Sequence, residues 1–284
     1  MKNKFFLWLF CALLIQVSVY LYLDRILFAP EMDFSQETIS KESGSSASKN
    51  YSYNKDYYAQ ISEGSVKFYT KNQKLVQEVK LRDKEQITYF SWLPQRNLAL
   101  IGLSYETRGG TTVTLKPVNP ELDSHPANPK IAGLGKGAQI VDVTYSTQTN
   151  VIYMLVKSGK NASVFRTDAN NNLEQMDLST THIGRIDNLH NDDILLYDNT
   201  DTGQIHWVSR HGSSKIISPE NGKFALLGVD EHDNIYIGKL AETEKISEIY
   251  IQKSNGFFVL YKKLDYAYPV DAVKITADGN VILS

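Results

Sequence analysis

Five times along this chain an alternating apolar run leads through a short polar turn, closing on Asn or Asp, into a dense run of β-branched and aromatic residues. The copies occupy residues 87–101, 140–154, 183–197, 224–237 and 270–283, and their turns close at Asn97, Asn150, Asp193, Asn234 and Asn280. Each copy reads as a hairpin for local reasons. Residues such as Asp233-Asn234 and Asp278-Gly279-Asn280 tolerate the left-handed backbone of tight turns, whereas the flanking Val, Ile and Tyr favour a pleated strand. A strand-built phrase recurring every 40 to 50 residues or so limits the chain to a few all-β architectures.

The architecture this period predicts is a β-propeller. Further strands follow the hairpins, as at residues 162–167 and 173–178 in the second unit and 246–252 and 257–262 in the fourth, giving four per unit. The last copy ends after two strands, while residues 57–61, 66–69 and 75–81 supply strands ahead of the first. The expected fold is therefore a propeller of five four-stranded blades over residues 54–284, its closing blade shared between the N- and C-terminal strands so that no sheet edge stays open. Four or six blades also fit, and a β-sandwich uses similar strands but has no need of the repeat. Residues 116–129, rich in proline, read as a long loop inserted in the first blade.

A second strong signal lies at the N-terminus, where residues 5–23 carry no charge. As a helix they would be about 28 Å long, close to the thickness of a hydrocarbon core. Lys2 and Lys4 precede the segment and Asp24, Arg25, Glu31 and Asp33 follow it, so the positive-inside bias predicts a cytoplasmic tail (1–4), a single transmembrane anchor (5–23) and a propeller outside the membrane. A cleaved signal peptide fits less well, because the apolar stretch is long and Leu27-Phe28-Ala29 lacks the small residues of a cleavage site. Residues 24–53, with the run Ser43-Gly44-Ser45-Ser46, have too few apolar side chains to repay ordering and read as a flexible linker. Cys11 is the single cysteine, so the exported part can hold neither a disulfide nor a thiolate site. That absence suits a bacterial cell envelope.

With 30 basic and 32 acidic side chains the chain lacks the basic footprint of a nucleic-acid binder. Gly133-Leu134-Gly135-Lys136-Gly137 resembles a phosphate loop, yet no Ser or Thr follows the lysine and a strand comes next, so it reads as a connection between blades. His182, Asp187, His190, Asp192 and Asp193 crowd into the third unit, but the two histidines fall near opposite ends of one strand and cannot share an ion. Asp168 to Asn172 imitates half a calcium loop without its glycine or closing glutamate, and reads as a hairpin turn. No cofactor or metal site is expected. Asp142, Asp187, Asp230 and Asp271 fall on the innermost strands, where paired acids could support glycoside hydrolysis; most of them read as capping or turn acids.

Over residues 57–284 the repeated phrase resembles the TolB-type, YVTN-type and WD-type propellers, without the specific signatures of any of them. The resemblance implies a rigid disc that presents loops to a partner, and no particular chemistry. The expected function is that of a membrane-tethered extracytoplasmic binding or scaffold module for a protein or an envelope glycan. Loops between second and third strands should share one face, which nominates Tyr105, Arg108, Lys160, Asp201 and Glu242 as binding residues. The alternative is an envelope carbohydrate hydrolase or lyase using central carboxylates. A sensor for an assembly apparatus in the same membrane fits the same features as the binding module.

Overall fold

The computed structural model describes residues 48–94, 96–122, 128–241, 244–253 and 256–283. The anchor (5–23) and most of the linker lie outside them, and among the described residues no helix is long and apolar enough to cross a membrane. Five antiparallel four-stranded sheets follow one another along the chain. The first contains β1 (Asn50–Tyr51), β2 (Tyr57–Ser62), β3 (Ser65–Thr70) and β4 (Leu75–Lys80); the second β5 (Glu85–Trp92), β6 (Ala99–Thr107), β7 (Gly110–Val118) and β8 (Lys130–Leu134). The third comprises β9 (Gln139–Ser146), β10 (Val151–Ser158), β11 (Asn161–Thr167) and β12 (Leu173–Gln175), and the fourth β13 (Ile183–Asn188), β14 (Ile194–Asn199), β15 (Gln204–Ser209) and β16 (Ser214–Ile216). In the fifth lie β17 (Lys223–Val229), β18 (Ile235–Leu240), β19 (Ile246–Gln252) and β20 (Val259–Tyr268). A hairpin of β21 (Val273–Ile275) and β22 (Val281–Leu283) follows.

Each copy of the repeated phrase forms the hairpin of first and second strands in its unit. Turn chemistry explains why: Asn150, Asp233 and Gly279 adopt φ of 53°, 60° and 80°, the left-handed region that Asn, Asp and Gly enter at least cost. The second strands β10, β14 and β18, and β6 up to Ser104, are largely buried on both faces, which is why they read as unbroken apolar runs. Outermost strands such as β12 and β16 are short and exposed. Burial thus falls from the middle of each sheet to its outer edge.

Hydrophobic side chains collect between successive sheets. Phe68 of the first sheet meets Phe90 and Trp92 of the second; Leu115 and Ile140 pack between second and third; Tyr153 and Leu195 between third and fourth; Leu196 and Leu226 between fourth and fifth; Ile249 and Val273 between the fifth and the last hairpin. Fully burying one such side chain contributes about 1.5–3 kcal/mol. Polar groups lock the same seams at the turns. The Ser146 hydroxyl donates to the His190 carbonyl at 2.5 Å, the His190 amide to Asp233 Oδ1 at 2.6 Å, and the Glu231 amide to the Ala277 carbonyl at 2.9 Å.

Three expectations need correction. The N-terminal strands do not finish the last hairpin: Val66 pairs with Ile61 and Val79, Ile282 pairs with Lys274, and among the described residues no strand pairing joins the two ends. The cause is β1, which gives the first sheet a fourth strand of its own. β1 falls inside the stretch read as linker, is two residues long, and is held by a polar turn in which the Ser52 amide donates to the Tyr57 carbonyl and the Tyr57 amide donates to Ser52 Oγ. Finally, Lys116, Pro117 and Val118 are not loop but the end of β7. Pro117 lies beyond the reach of β8, which pairs only with Thr111–Thr114, so the outer edge there needs no donor.

Candidate functional site

The innermost strands β5, β9, β13, β17 and β21 wall a central cavity of 590 Å³. This size suits a small ligand. Four of these strands are bulged where they face it: Thr88, Val141 and Leu227 are extra residues in the pairing of β5, β9 and β17, and on β13 Gly184 and Arg185 together stand opposite the single residue Asp198 of β14. All five bulge residues line the cavity. A bulge turns a side chain out of the regular alternation, and here it directs polar and apolar groups alike toward the axis.

The bulge on β13 shows how tightly this is built. Asp198, 5% exposed, accepts hydrogen bonds from the Arg185 amide at 2.6 Å and the Leu226 amide at 3.2 Å, tying the fourth sheet to the fifth. Burial pushes its carboxyl above the usual range, and the backbone donors oppose that push. A Cβ on Gly184 would stand 2.5 Å from Asp198 Oδ1, so any larger residue there would displace this buried, hydrogen-bonded carboxylate. Arg185 then reaches across the cavity, donating to the Val270 carbonyl at 2.9 Å and pairing with Asp271 at 2.8 Å.

Two acids sit at the heart of the lining. Asp142 Oδ1 accepts from the Val143 amide at 2.9 Å. Asp187 is held by Thr144 Oγ1 and the Asn188 amide, both at 2.8 Å from Oδ1, and by the Val229 amide at 2.8 Å from Oδ2. Desolvation, followed by the negative charge of Asp187, pushes Asp142 up to about 6, with Arg185 acting weakly the other way. Asp187 is likewise raised, by desolvation against its hydrogen bonds. What area each keeps accessible faces the cavity. Tyr145 stands beside them with its hydroxyl buried and without a partner, its proton held more tightly than usual by desolvation and by the neighbouring Tyr89 and Asp187.

The other two acids, expected on innermost strands, lie beside them instead: Asp230 follows β17 and Asp271 sits in a single 3-10 turn (Val270–Ala272) ahead of β21. Asp230 caps its own turn, accepting from the His232 and Asn234 amides and from the Tyr236 hydroxyl, while Asp271 is an exposed partner for Arg185. Asp168 likewise caps the turn between β11 and β12 through the amides of Asn170 and Asn172. His182 pairs with Asp201 beyond one end of β13, while His190 lines the cavity beyond the other. Among the described residues no group of three or more His, Cys, Asp or Glu could hold a metal ion.

The nominated loop residues fall where second strands end. Tyr105 begins the exposed end of β6, Arg108 and Lys160 occupy the turns after β6 and β10, and Asp201 follows β14; Glu242 lies outside the described residues. None of the four described residues lines the cavity. Their loops are instead tied to the connections between sheets. Glu106 accepts from the Gly137 amide at 2.7 Å and from the Thr111 hydroxyl at 2.8 Å, which holds its carboxyl below the usual range and pins the glycine-rich connection 133–137.

No protein-family model matches the chain, and no curated protein matches its sequence. Several solved structures are similar to it in fold. An uncharacterized protein from Listeria monocytogenes matches at a TM-score of 0.55 with 14% identity, covering 76% of this chain and 65% of that one. A prolyl endopeptidase matches at 0.53 with 14% identity over 83% of this chain and 38% of the enzyme. The dihydro-heme d1 dehydrogenase NirN, in complex with DHE, matches at 0.52 with 13% identity over 81% of this chain and 49% of NirN. The chain thus spans about half of NirN or less than half of the endopeptidase. At such identities the likeness extends to the fold, a β-propeller, and no further.

Proposed function

We propose that the protein is a binding module whose central cavity holds a small polar ligand, an envelope glycan in preference to a folded protein, and that residues 5–23 tether it on the outer side of a membrane. The observation that carries this reading is the ring of bulges: four successive innermost strands give up regular pairing at the level of one cavity. Bulges cost pairing and concentrate beside sites of function. The volume admits one or two sugar rings but no protein domain. Calorimetry of the full-length protein with oligosaccharides released from a bacterial envelope tests it. Val141→Trp, which fills the cavity, should abolish binding and Lys160→Ala on the rim should leave it intact; the reverse pattern would move the site to the loops.

A second reading, a carbohydrate hydrolase or lyase, is favoured by one observation. Asp142, raised to about 6, can carry a proton near neutral pH beside a second carboxylate. Release of reducing ends from envelope polysaccharide, lost in Asp142→Asn, would establish it.

A further inference from the structure

Resting on the proposal that the cavity is the ligand site, the chemistry of its lining narrows the ligand class. The cations around it are already engaged. Arg185 is committed to Asp271 and the Val270 carbonyl, Lys157 donates to the Gly184 carbonyl at 3.3 Å, and Lys274 is engaged as well. Asp142 and Asp187, by contrast, have no ion-pair partner among the described residues, and their hydrogen bonds come from backbone amides and the Thr144 hydroxyl. His190 shares their lining and acts electrostatically on Asp187, opposing the rise of its carboxyl, but no ion pair joins it to either acid among the described residues. Independently of the acids, Tyr145 keeps a buried hydroxyl with no partner in the same wall. A buried hydroxyl without a partner costs about 1–3 kcal/mol. Few such groups persist, and each has a cause such as strain, a catalytic role or a bound water, ion or ligand.

We propose that the cavity selects ligands bearing a protonated amine, seated between the Asp142 and Asp187 carboxylates with the Tyr145 hydroxyl as a further acceptor. An ammonium offers three donors and a positive charge, which matches two carboxylates and one phenolic oxygen. A neutral hydroxyl in its place would add no charge to the weak, unpaired influence of Arg185 on Asp142 and of His190 on Asp187. An N-acetylated amine would add bulk as well.

Calorimetry on the full-length protein at neutral pH, with glucosamine, glucose, N-acetylglucosamine and a lysine dipeptide as probes, tests this. A hydrogen bond to a charged group contributes enough that glucosamine should bind about tenfold or more tightly than glucose. Asp142→Asn should erase that preference and Tyr145→Phe should reduce it, with melting curves showing both variants folded. Preference for the dipeptide over glucosamine would keep the ammonium and assign it to a peptide. Equal binding of all probes, blocked by Val141→Trp, would overturn amine selection while leaving the cavity as the ligand site. Binding of none of them, with envelope glycans still bound in a Val141→Trp-sensitive manner, would overturn it too. Loss of cavity dependence for every ligand would remove the underlying reading instead.

Discussion

Replacing Asp193 by alanine should be among the most damaging single changes to this protein. Arg166 on β11 is 1% exposed, and its guanidinium is compensated across the seam between third and fourth sheets by Asp193, through contacts of 3.1, 3.1 and 2.5 Å. Glu174 adds one contact at 2.9 Å but is itself about half exposed, so water screens it and it cannot take over. Tyr153, fully buried, donates its hydroxyl to Asp193 Oδ1 and would lose its acceptor as well. Removing one member of a buried ion pair costs about 3–5 kcal/mol, because the other charge stays buried. For a domain of this size that lowers Tm by about 6–20 °C. Urea unfolding followed by tryptophan fluorescence would measure it. In a double-mutant cycle Arg166→Met should recover much of the loss, since no orphaned charge then remains. A cost below about 1 kcal/mol, or strict additivity with Arg166→Met, would refute the reasoning. The pH dependence has a defined sign. Burial opposes ionisation of Asp193, but its bonds to Arg166 and Tyr153 hold the carboxyl below the ordinary range, so its contribution is present above that range and is lost as pH falls through the depressed value.

Three further outcomes follow from the geometry. Asp142→Asn should stabilise the protein at pH 7, by up to about 3 kcal/mol, because the folded state raises this carboxyl to about 6 and so disfavours its charge; the gain should vanish below the ordinary aspartate range, near pH 4, in melts across pH. His206 is buried, stacks on Tyr197 at 4.7 Å and has an unpartnered Nε2, and burial lowers its pKa; stability should therefore fall as pH drops through about 6.5, and His206→Phe should flatten that fall in the same melts. Gly184→Ala should destabilise by about 1–3 kcal/mol in urea, because its Cβ meets Asp198, whereas Gly64→Ala, with open space around it, should cost far less.

How much of this was legible in the sequence depends on how local each feature is. The hairpins were readable because the left-handed turns at Asn150, Asp233 and Gly279 use residues chosen for that backbone, and because the second strands β6, β10, β14 and β18 are largely buried on both faces. β1 was not readable: two residues give no periodicity, and its place comes from a turn and from Trp92, whose indole donates to the Asn50 carbonyl at 3.0 Å. Nor were the bulges, since Thr88 or Val141 becomes an extra residue only when its partner strand is known. Among the four acids expected on innermost strands the sequence could not separate Asp142 and Asp187, which lie on β9 and β13, from Asp230 and Asp271, which lie beyond β17 and before β21. Neighbouring sheets make the difference: Thr144 and Val229 secure Asp187 from the two flanking units, while Asp230 finds its donors two to six residues from itself. The Arg166–Asp193 pair joins different units, and nothing in either segment announces the other.

Hydrogen–deuterium exchange of the full-length protein with and without a bound envelope oligosaccharide tests the central claim most directly. The expected result is slowed exchange along the cavity-facing segments 88–92, 141–145, 184–187 and 226–229, with the loops holding Tyr105, Arg108, Lys160 and Asp201 unchanged. Protection confined to those loops, with the innermost strands unaffected, would contradict it.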